Sequence, residues 1–218
     1  PTDGEIEKEA EEGLYWGYDA FRRTFLELNK KGVLIGFCTG RDRNYVEAVA
    51  FATRLVRLVT SWSVIESGVV LFNPATKEML NPALTPEVLK VFEHLHGEMV
   101  PRILGKFPQL FEYQNRVQIT FERNHGVTEP IEKFFEAVRT ELQDLENQGL
   151  LKVRHSKIAV DISPVGLDGI PIDKASGTRF YATTMGVDLS QILGIGDSPG
   201  DFPMMELVGQ VGCPSNAR

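Results

Sequence analysis

The segment Gly196-Asp197-Ser198-Pro199-Gly200-Asp201 carries two carboxylates on one tight turn, directly after the apolar run 191–195. The pair therefore sits where a strand ends and a helix begins, the edge at which open parallel sheets place ligands. Two hard carboxylates there can supply part of an octahedral oxygen shell for Mg²⁺, an ion that keeps several waters and shares its ligands with a substrate phosphate. The same residues also suit a turn followed by a helix cap. Thr39 ends a second apolar run, 33–38, and with Gly40 it offers a hydroxyl and an unobstructed N–H to a phosphoryl oxygen. A plain strand-to-helix turn reads the same way. Lys174 follows Asp173 at a helix start, where a cation opposes the helix dipole unless an anion compensates it. That misfit points to function rather than local stability, with a solvated surface lysine as the alternative.

The elements that must position these groups follow from hydrophobic spacing. Tyr18, Phe21, Phe25 and Leu28 fall at helical intervals in a helix that starts near Tyr15 and stops at Gly32. Residues 33–38 read as a strand buried on both faces, followed by a helix with Tyr45, Val49, Ala52, Val56 and Val59 on its inner stripe. Short strands at 64–65 and 69–72 flank Glu66-Ser67-Gly68. This order of helices and strands predicts an α/β fold with parallel strands.

The middle of the chain differs. Asn73-Pro74 and Asn81-Pro82 mark turns, Thr85-Pro86-Glu87 opens a helix, and 116–121 alternates as a half-buried strand does. A second helix starts after Thr128-Glu129-Pro130 with Ile131, Phe134, Phe135, Val138 and Leu142 on one face, and strands follow at 151–155 and 158–162. Two long helices beside antiparallel strands predict an inserted α+β module over about 73–162. Beyond it the first pattern resumes, with a helix from Lys174 toward Met185, a buried strand at 191–195, a short helix at 202–207 and a strand at 210–212.

Composition narrows the function classes. The 218 residues are 42% hydrophobic and 24% charged, with 20 Gly and 12 Pro dispersed along the chain, which excludes fibrous and low-complexity readings. A net charge of −7 gives no footprint for nucleic acid, so no nucleic-acid partner is expected. Cys38 and Cys213 stand apart, without disulfide or zinc spacing. No apolar run reaches the roughly 20 residues of a membrane span, so no membrane partner is expected either. The acidic stretch Glu5, Glu7, Glu9, Glu11, Glu12 is unlike a signal peptide, and the expected location is cytoplasmic. His94, His96, His125 and His155 read as surface or loop residues without metal spacing.

Taken in order, Thr39-Gly40-Arg41, Lys174 in Asp-Lys-Ala-Ser-Gly, and Gly-Asp-Ser-Pro-Gly-Asp-Phe-Pro-Met-Met at 196–205 resemble the second, third and fourth motifs of the haloacid dehalogenase superfamily of phosphatases. Glu66-Ser67-Gly68-Val69-Val70 resembles the segment that precedes the cap in the subgroup with a large α+β cap, which includes sugar-phosphate, sucrose-phosphate, mannosyl-3-phosphoglycerate and phosphoglycolate phosphatases. The resemblance implies a Rossmann-like parallel-sheet core, residues 1–72 plus 163–218, with the cap at 73–162. It implies a Mg²⁺-dependent phosphomonoester hydrolase acting on a small phosphorylated metabolite through an aspartyl-phosphate. Thr39 and Lys174 would be catalytic, Thr39, Gly40, Arg41 and Lys174 would hold the phosphate, and Asp197 and Asp201 the metal.

Two departures stand out. Gly200 occupies a position where the family commonly has Asn, and no strand carrying the family's paired aspartates precedes Asp3. The nucleophilic Asp is accordingly expected upstream of Pro1, within a central strand, and a further strand and helix are expected after Arg218. The alternatives are a phospho-ligand binding or regulatory protein without the nucleophile and, less favoured by the large cap, a phosphomutase. Neither substrate identity nor oligomeric state is encoded legibly.

Overall fold

Backbone pairing divides the chain into an α/β part and an antiparallel module between its segments. The structure, a computed structural model, describes residues 16–81, 84–215 and 217, with side chains from residue 20 onward. Asp3, the acidic stretch 5–12, Tyr15, the Tyr18 side chain, Asn216 and Arg218 lie outside that description.

The first helix, α1 (Trp16–Lys30), ends at Gly32 as its spacing predicts. The segment 33–38 departs from expectation. It runs parallel to β1 (Ser63–Ile65): Ser61 N donates to Ile35 O, Val64 N to Phe37 O, and Thr39 N to Val64 O. Yet only Cys38 forms a bridge, with Val64, and Val33 and Leu34 are 43% and 45% exposed. Among the described residues the segment is paired along one side alone, so the apolar run is not enclosed.

Helix α2 (Arg43–Ala52) is capped by Asp42, whose Oδ1 accepts the Tyr45 N–H. Within the helix Val46 and Ala50 face inward, one residue off the predicted stripe, and Tyr45 is exposed; beyond its end at Ala52, Val56 is exposed while Val59 is buried as predicted. Strand β2 (Val70–Phe72) folds back antiparallel on β1 and pairs with β3 (Met79–Leu80). The buried residues Ile65, Val70, Leu71 and Phe72 anchor this hairpin in the core.

The module follows. A helix α3 (Pro86–His94) passes through a π-helical stretch, Leu95–Met99, into α4 (Val100–Lys106). Pro101 lacks the N–H that regular pairing needs, a common origin of such register shifts. The sheet that follows has the order β4 (Leu110–Glu112), β5 (Ile119–Arg123), β7 (Ala159–Pro164), β6 (Leu151–His155), and all its pairings are antiparallel. Helix α5 (Ile131–Asn147) buries Ile131, Phe134, Val138 and Leu142, the predicted face, in one cluster with Ile119, Phe121, Val153, Val160 and Ile162 of the sheet. Strand β7 continues two residues past 162.

The chain then returns to the α/β part with α6 (Lys174–Met185), β8 (Leu193–Ile195), the short α7 (Phe202–Met205) and β9 (Gln210–Gly212), which pairs parallel with β8. The predicted burial of 191–195 holds only for Gly194, since Leu193 and Ile195 are 55% and 61% exposed. Here too the strand has one partner among the described residues. The architecture is α/β, a core with parallel pairing plus an inserted helix-and-sheet module. Among the described residues, no helix is long and apolar enough to cross a membrane.

One close approach fixes the start of α6. Gly68 has φ of 103°, and a Cβ there would lie 1.9 Å from Asp173 O. Its neighbour across the contact, Gly177, would place a Cβ 2.5 Å from the Gly68 Cα. A Gly68→Ala variant combines left-handed strain with a backbone clash, so it is expected to lose more than about 2 kcal/mol of stability in denaturant unfolding. Unchanged stability would mean that the turn and the helix separate easily.

Candidate active site

The turn 39–41 is built so that its carbonyl groups are all occupied. Thr39 O accepts the Ser67 N–H at 3.0 Å, Arg41 O accepts the Glu66 N–H at 3.0 Å, and Gly40 O accepts Nδ2–H of Asn115 at 3.2 Å. The Thr39 hydroxyl oxygen in turn accepts the Arg41 N–H at 3.2 Å. With its acceptors bound, and with helix α2 beginning immediately after it, the turn favours an anion over a cation.

The Arg41 side chain is stacked between two rings. Its guanidinium carbon lies 3.5 Å from the centroid of the Tyr113 ring and 5.2 Å from that of Tyr45, and Nη2 stands 4.0 Å from Glu122 Oε2. Tyr113 donates its phenolic proton to that same carboxylate. The guanidinium that the resemblance assigns to phosphate thus lies between a ring of α2 and a ring beside β4.

Lys174 is the first residue of α6, behind the cap formed by Asp173, whose Oδ1 accepts the Ser176 N–H. The cation at this helix start finds its compensating anion in Asp201: Lys174 Nζ donates to Asp201 Oδ1, with side chains only 14% and 6% exposed. The other oxygen of Asp201 accepts the N–H groups of Asp197 and Ser198 and the Ser198 hydroxyl proton. Burial pushes the Asp201 carboxyl up, but Lys174 and the Ser198 and Asp197 donors outweigh it and hold the group below its ordinary range. Folding Asp201 back in this way requires Gly196, where a Cβ would lie 2.4 Å from the Asp201 Cβ.

The two predicted metal residues thus share a loop but do different things. Asp201 is enclosed by its donors, while Asp197 is exposed and offers the hard oxygen donor that Mg²⁺ takes. Among the described residues no group of three or more His, Cys, Asp or Glu side chains is arranged to hold a metal ion. Cys38, next to Thr39, lies close enough to feel the charges of Lys174 and Asp201. Burial pushes its thiol up to about 11 despite Lys174, although the residue is only half-buried.

Sequence reasoning missed Glu66 and Asn115. The predicted strand at 116–121 begins only at Ile119 because the N–H groups of Arg116, Val117 and Gln118 go to the Glu66 carboxylate instead of to a neighbouring strand. Glu66-Ser67-Gly68 stood out in the sequence, but nothing in it marks residues 115–118 as the partners. His96, read as a surface residue, is half-buried and donates Nε2–H to Val117 O at 3.0 Å.

Beside it, Glu112 has a buried Oε1 with no hydrogen-bond partner among the described residues, 4.0 Å from His96 Nδ1. Burial, with the Glu66 carboxylate adding to it, pushes the Glu112 carboxyl up to about 7 from 4.5. Between these values the folded chain keeps a proton that the unfolded chain releases. The contribution of Glu112 to stability is therefore full below 4.5 and is lost as pH rises through 7. Glu112→Gln, which keeps the neutral shape, is expected to match the parent near pH 4.5 and to exceed it by about 2 kcal/mol at pH 8, read from melting curves. A gap independent of pH would show that Glu112 does not titrate in this window.

Fold and site define an α/β protein with an anion-favouring turn, a buried lysine and an acidic loop at strand ends, and with an antiparallel module docked on that turn through Asn115. The haloacid dehalogenase-like hydrolase family matches residues 18–218, and the chain belongs to it. Among solved structures, a haloacid dehalogenase-like hydrolase from Bacteroides thetaiotaomicron is similar at TM-score 0.64 and 16% identity, covering 90% of this chain and 81% of that one. The sucrose-phosphatase from Synechocystis sp. PCC6803, in complex with sucrose and phosphate, is similar at TM-score 0.61 and 17% identity over 92% of this chain and 78% of that one. A Thermoplasma acidophilum protein reaches TM-score 0.57 at 17% identity, over 90% and 76%. At these identities the likeness is one of fold. No curated protein matches the chain.

Proposed function

We propose that the protein is a Mg²⁺-dependent phosphomonoester hydrolase of the haloacid dehalogenase-like family, acting on a small phosphorylated metabolite, with residues 73–162 as its α+β cap. The observation that carries this reading is the Thr39–Arg41 turn, whose carbonyls are all tied back, joined through Ser67 and Gly68 to the helix start where a buried aspartate holds Lys174. Such an arrangement presents donors and positive charge to an anion and is already organised before the ligand arrives. The Thr39 hydroxyl and the Gly40 N–H would bond phosphoryl oxygens, Lys174 would neutralise their charge, and Arg41 would add positive potential to the same turn. Asp197, with Asp201 behind it, would hold the Mg²⁺, which supplies charge neutralisation on the transferring phosphoryl group. The attacking carboxylate is the family's first-motif aspartate, and hydrolysis proceeds through its aspartyl-phosphate.

The similarity to a sucrose-phosphatase supports a sugar phosphate as substrate class, with a phosphoglycolate-like acid as the alternative. The test is hydrolysis of an aryl phosphate and of a panel of sugar phosphates by the protein expressed from its full reading frame, with Mg²⁺ and with a chelator. Mg²⁺-dependent release of phosphate supports the reading. Phosphate binding without turnover would instead indicate a phospho-ligand binding or regulatory protein.

A further inference from the structure

We propose that Glu66 is a positioning residue: by binding the amides of residues 116–118 it presses Asn115 onto Gly40 and so sets the orientation of the turn that receives the phosphoryl group. The inference rests on the phosphate-site reading above and adds to it a residue that touches neither substrate nor metal.

Glu66 is 2% exposed, and its carboxylate oxygens accept from backbone amides rather than from a cation among the described residues. Its Oε1 accepts the Arg116 N–H at 2.8 Å, and its Oε2 accepts those of Val117 at 2.8 Å and Gln118 at 3.2 Å. Three converging amides are the natural host for a buried carboxylate, since each would otherwise be left without an acceptor. The residue before them, Asn115, is 6% exposed and donates to Gly40 O. Glu66 therefore acts on the turn twice, directly through its own N–H to Arg41 O and indirectly through Asn115 to Gly40 O.

The backbone at this point is strained in a way that simple chain reversal does not require. Glu66, Ser67 and Gly68 have φ of 47°, 52° and 103°, and the first two are not glycines. Left-handed conformations at side-chain-bearing residues persist when surrounding bonds over-determine them. Here those bonds are the Glu66 N–H to Arg41 O, the Ser67 N–H to Thr39 O and the three amides on the carboxylate. Strain and bonds together join the core turn to the entrance of the module, across about 50 residues of sequence.

The experiment compares the full-length protein with Glu66→Gln, Asn115→Ala and the double variant, by amide hydrogen exchange and by calorimetric titration with inorganic phosphate. Glu66→Gln is expected to speed exchange at Arg116, Val117 and Gln118 by about tenfold or more and to weaken phosphate binding by about tenfold. Asn115→Ala is expected to weaken phosphate comparably while the 116–118 amides stay protected. The double variant should be little worse than either single one, as two links of one chain are. Faster exchange with unchanged phosphate affinity in Glu66→Gln would overturn the proposal, leaving Glu66 as a purely structural tie. If Glu66→Gln fails to fold, unchanged affinity in Asn115→Ala overturns it equally. Absence of phosphate binding in the parent protein would strike the phosphate-site reading itself, and is told apart because it needs no variant.

Discussion

Lys174→Ala is expected to lose about 3 kcal/mol of stability at neutral pH together with most of its phosphate chemistry, because it strips a buried carboxylate of its counter-charge. Position alone suggests the opposite for stability, since a lysine at a helix start opposes the dipole and its removal looks neutral or favourable. The ion pair with Asp201 reverses that expectation: both side chains are largely shielded, and Asp201 would keep its Ser198 and Asp197 donors but no cation.

The pH dependence separates this from a general packing defect. In the parent, the Asp201 carboxyl is held below its ordinary value of 3.8, so its contribution is present above 3.8 and is lost as pH falls through the depressed value. In the variant, burial acts unopposed by lysine and favours protonation, so acid relieves the defect. The stability gap between parent and variant should be widest near neutrality and shrink as pH falls toward 3.8, measured by denaturant unfolding across that range. A gap that stays constant with pH would show that the Lys174 stem, not its charge, carries the effect.

That pairing illustrates what spacing along a chain conveys. Local features were legible. The buried face of α5 at Ile131, Phe134, Val138 and Leu142, the start of α6 at Lys174 and the strand that ends just before Asp197 follow from periodicity and turn residues. Runs such as 33–38 and 191–195 read as strands because apolar content reports a residue's preference for burial. Whether neighbours supply it on both sides is decided elsewhere in the chain.

The links between distant segments were not legible at all. Lys174 and Asp201 are joined across 27 residues, Glu66 reaches 116–118 across 50 or more, and Asn115 reaches Gly40 across 75. Each link rests on one side chain, with no repeating pattern to betray it. The helix-dipole misfit of Lys174 was the one local sign that a distant anion was needed.

The acidic loop yields the second large effect, and the structure sharpens it by giving its two carboxylates different tasks. Asp197→Asn alters an exposed side chain, so stability without metal should stay within about 0.5 kcal/mol of the parent. Its charge, however, is the open oxygen ligand of the proposed Mg²⁺ site, and turnover is expected to fall about a hundredfold or more, in line with several kcal/mol of lost charge stabilisation. The rise in melting temperature that Mg²⁺ gives the parent should vanish in the same variant, a readout independent of catalysis. Asp201→Asn behaves differently, because the amide cannot accept from Lys174, Asp197 and Ser198 as the carboxylate does, and stability falls before any metal is added. If Asp197→Asn retained Mg²⁺-dependent turnover and the metal-induced melting shift, the loop would be only a turn that anchors Lys174, and the metal would have to be held elsewhere.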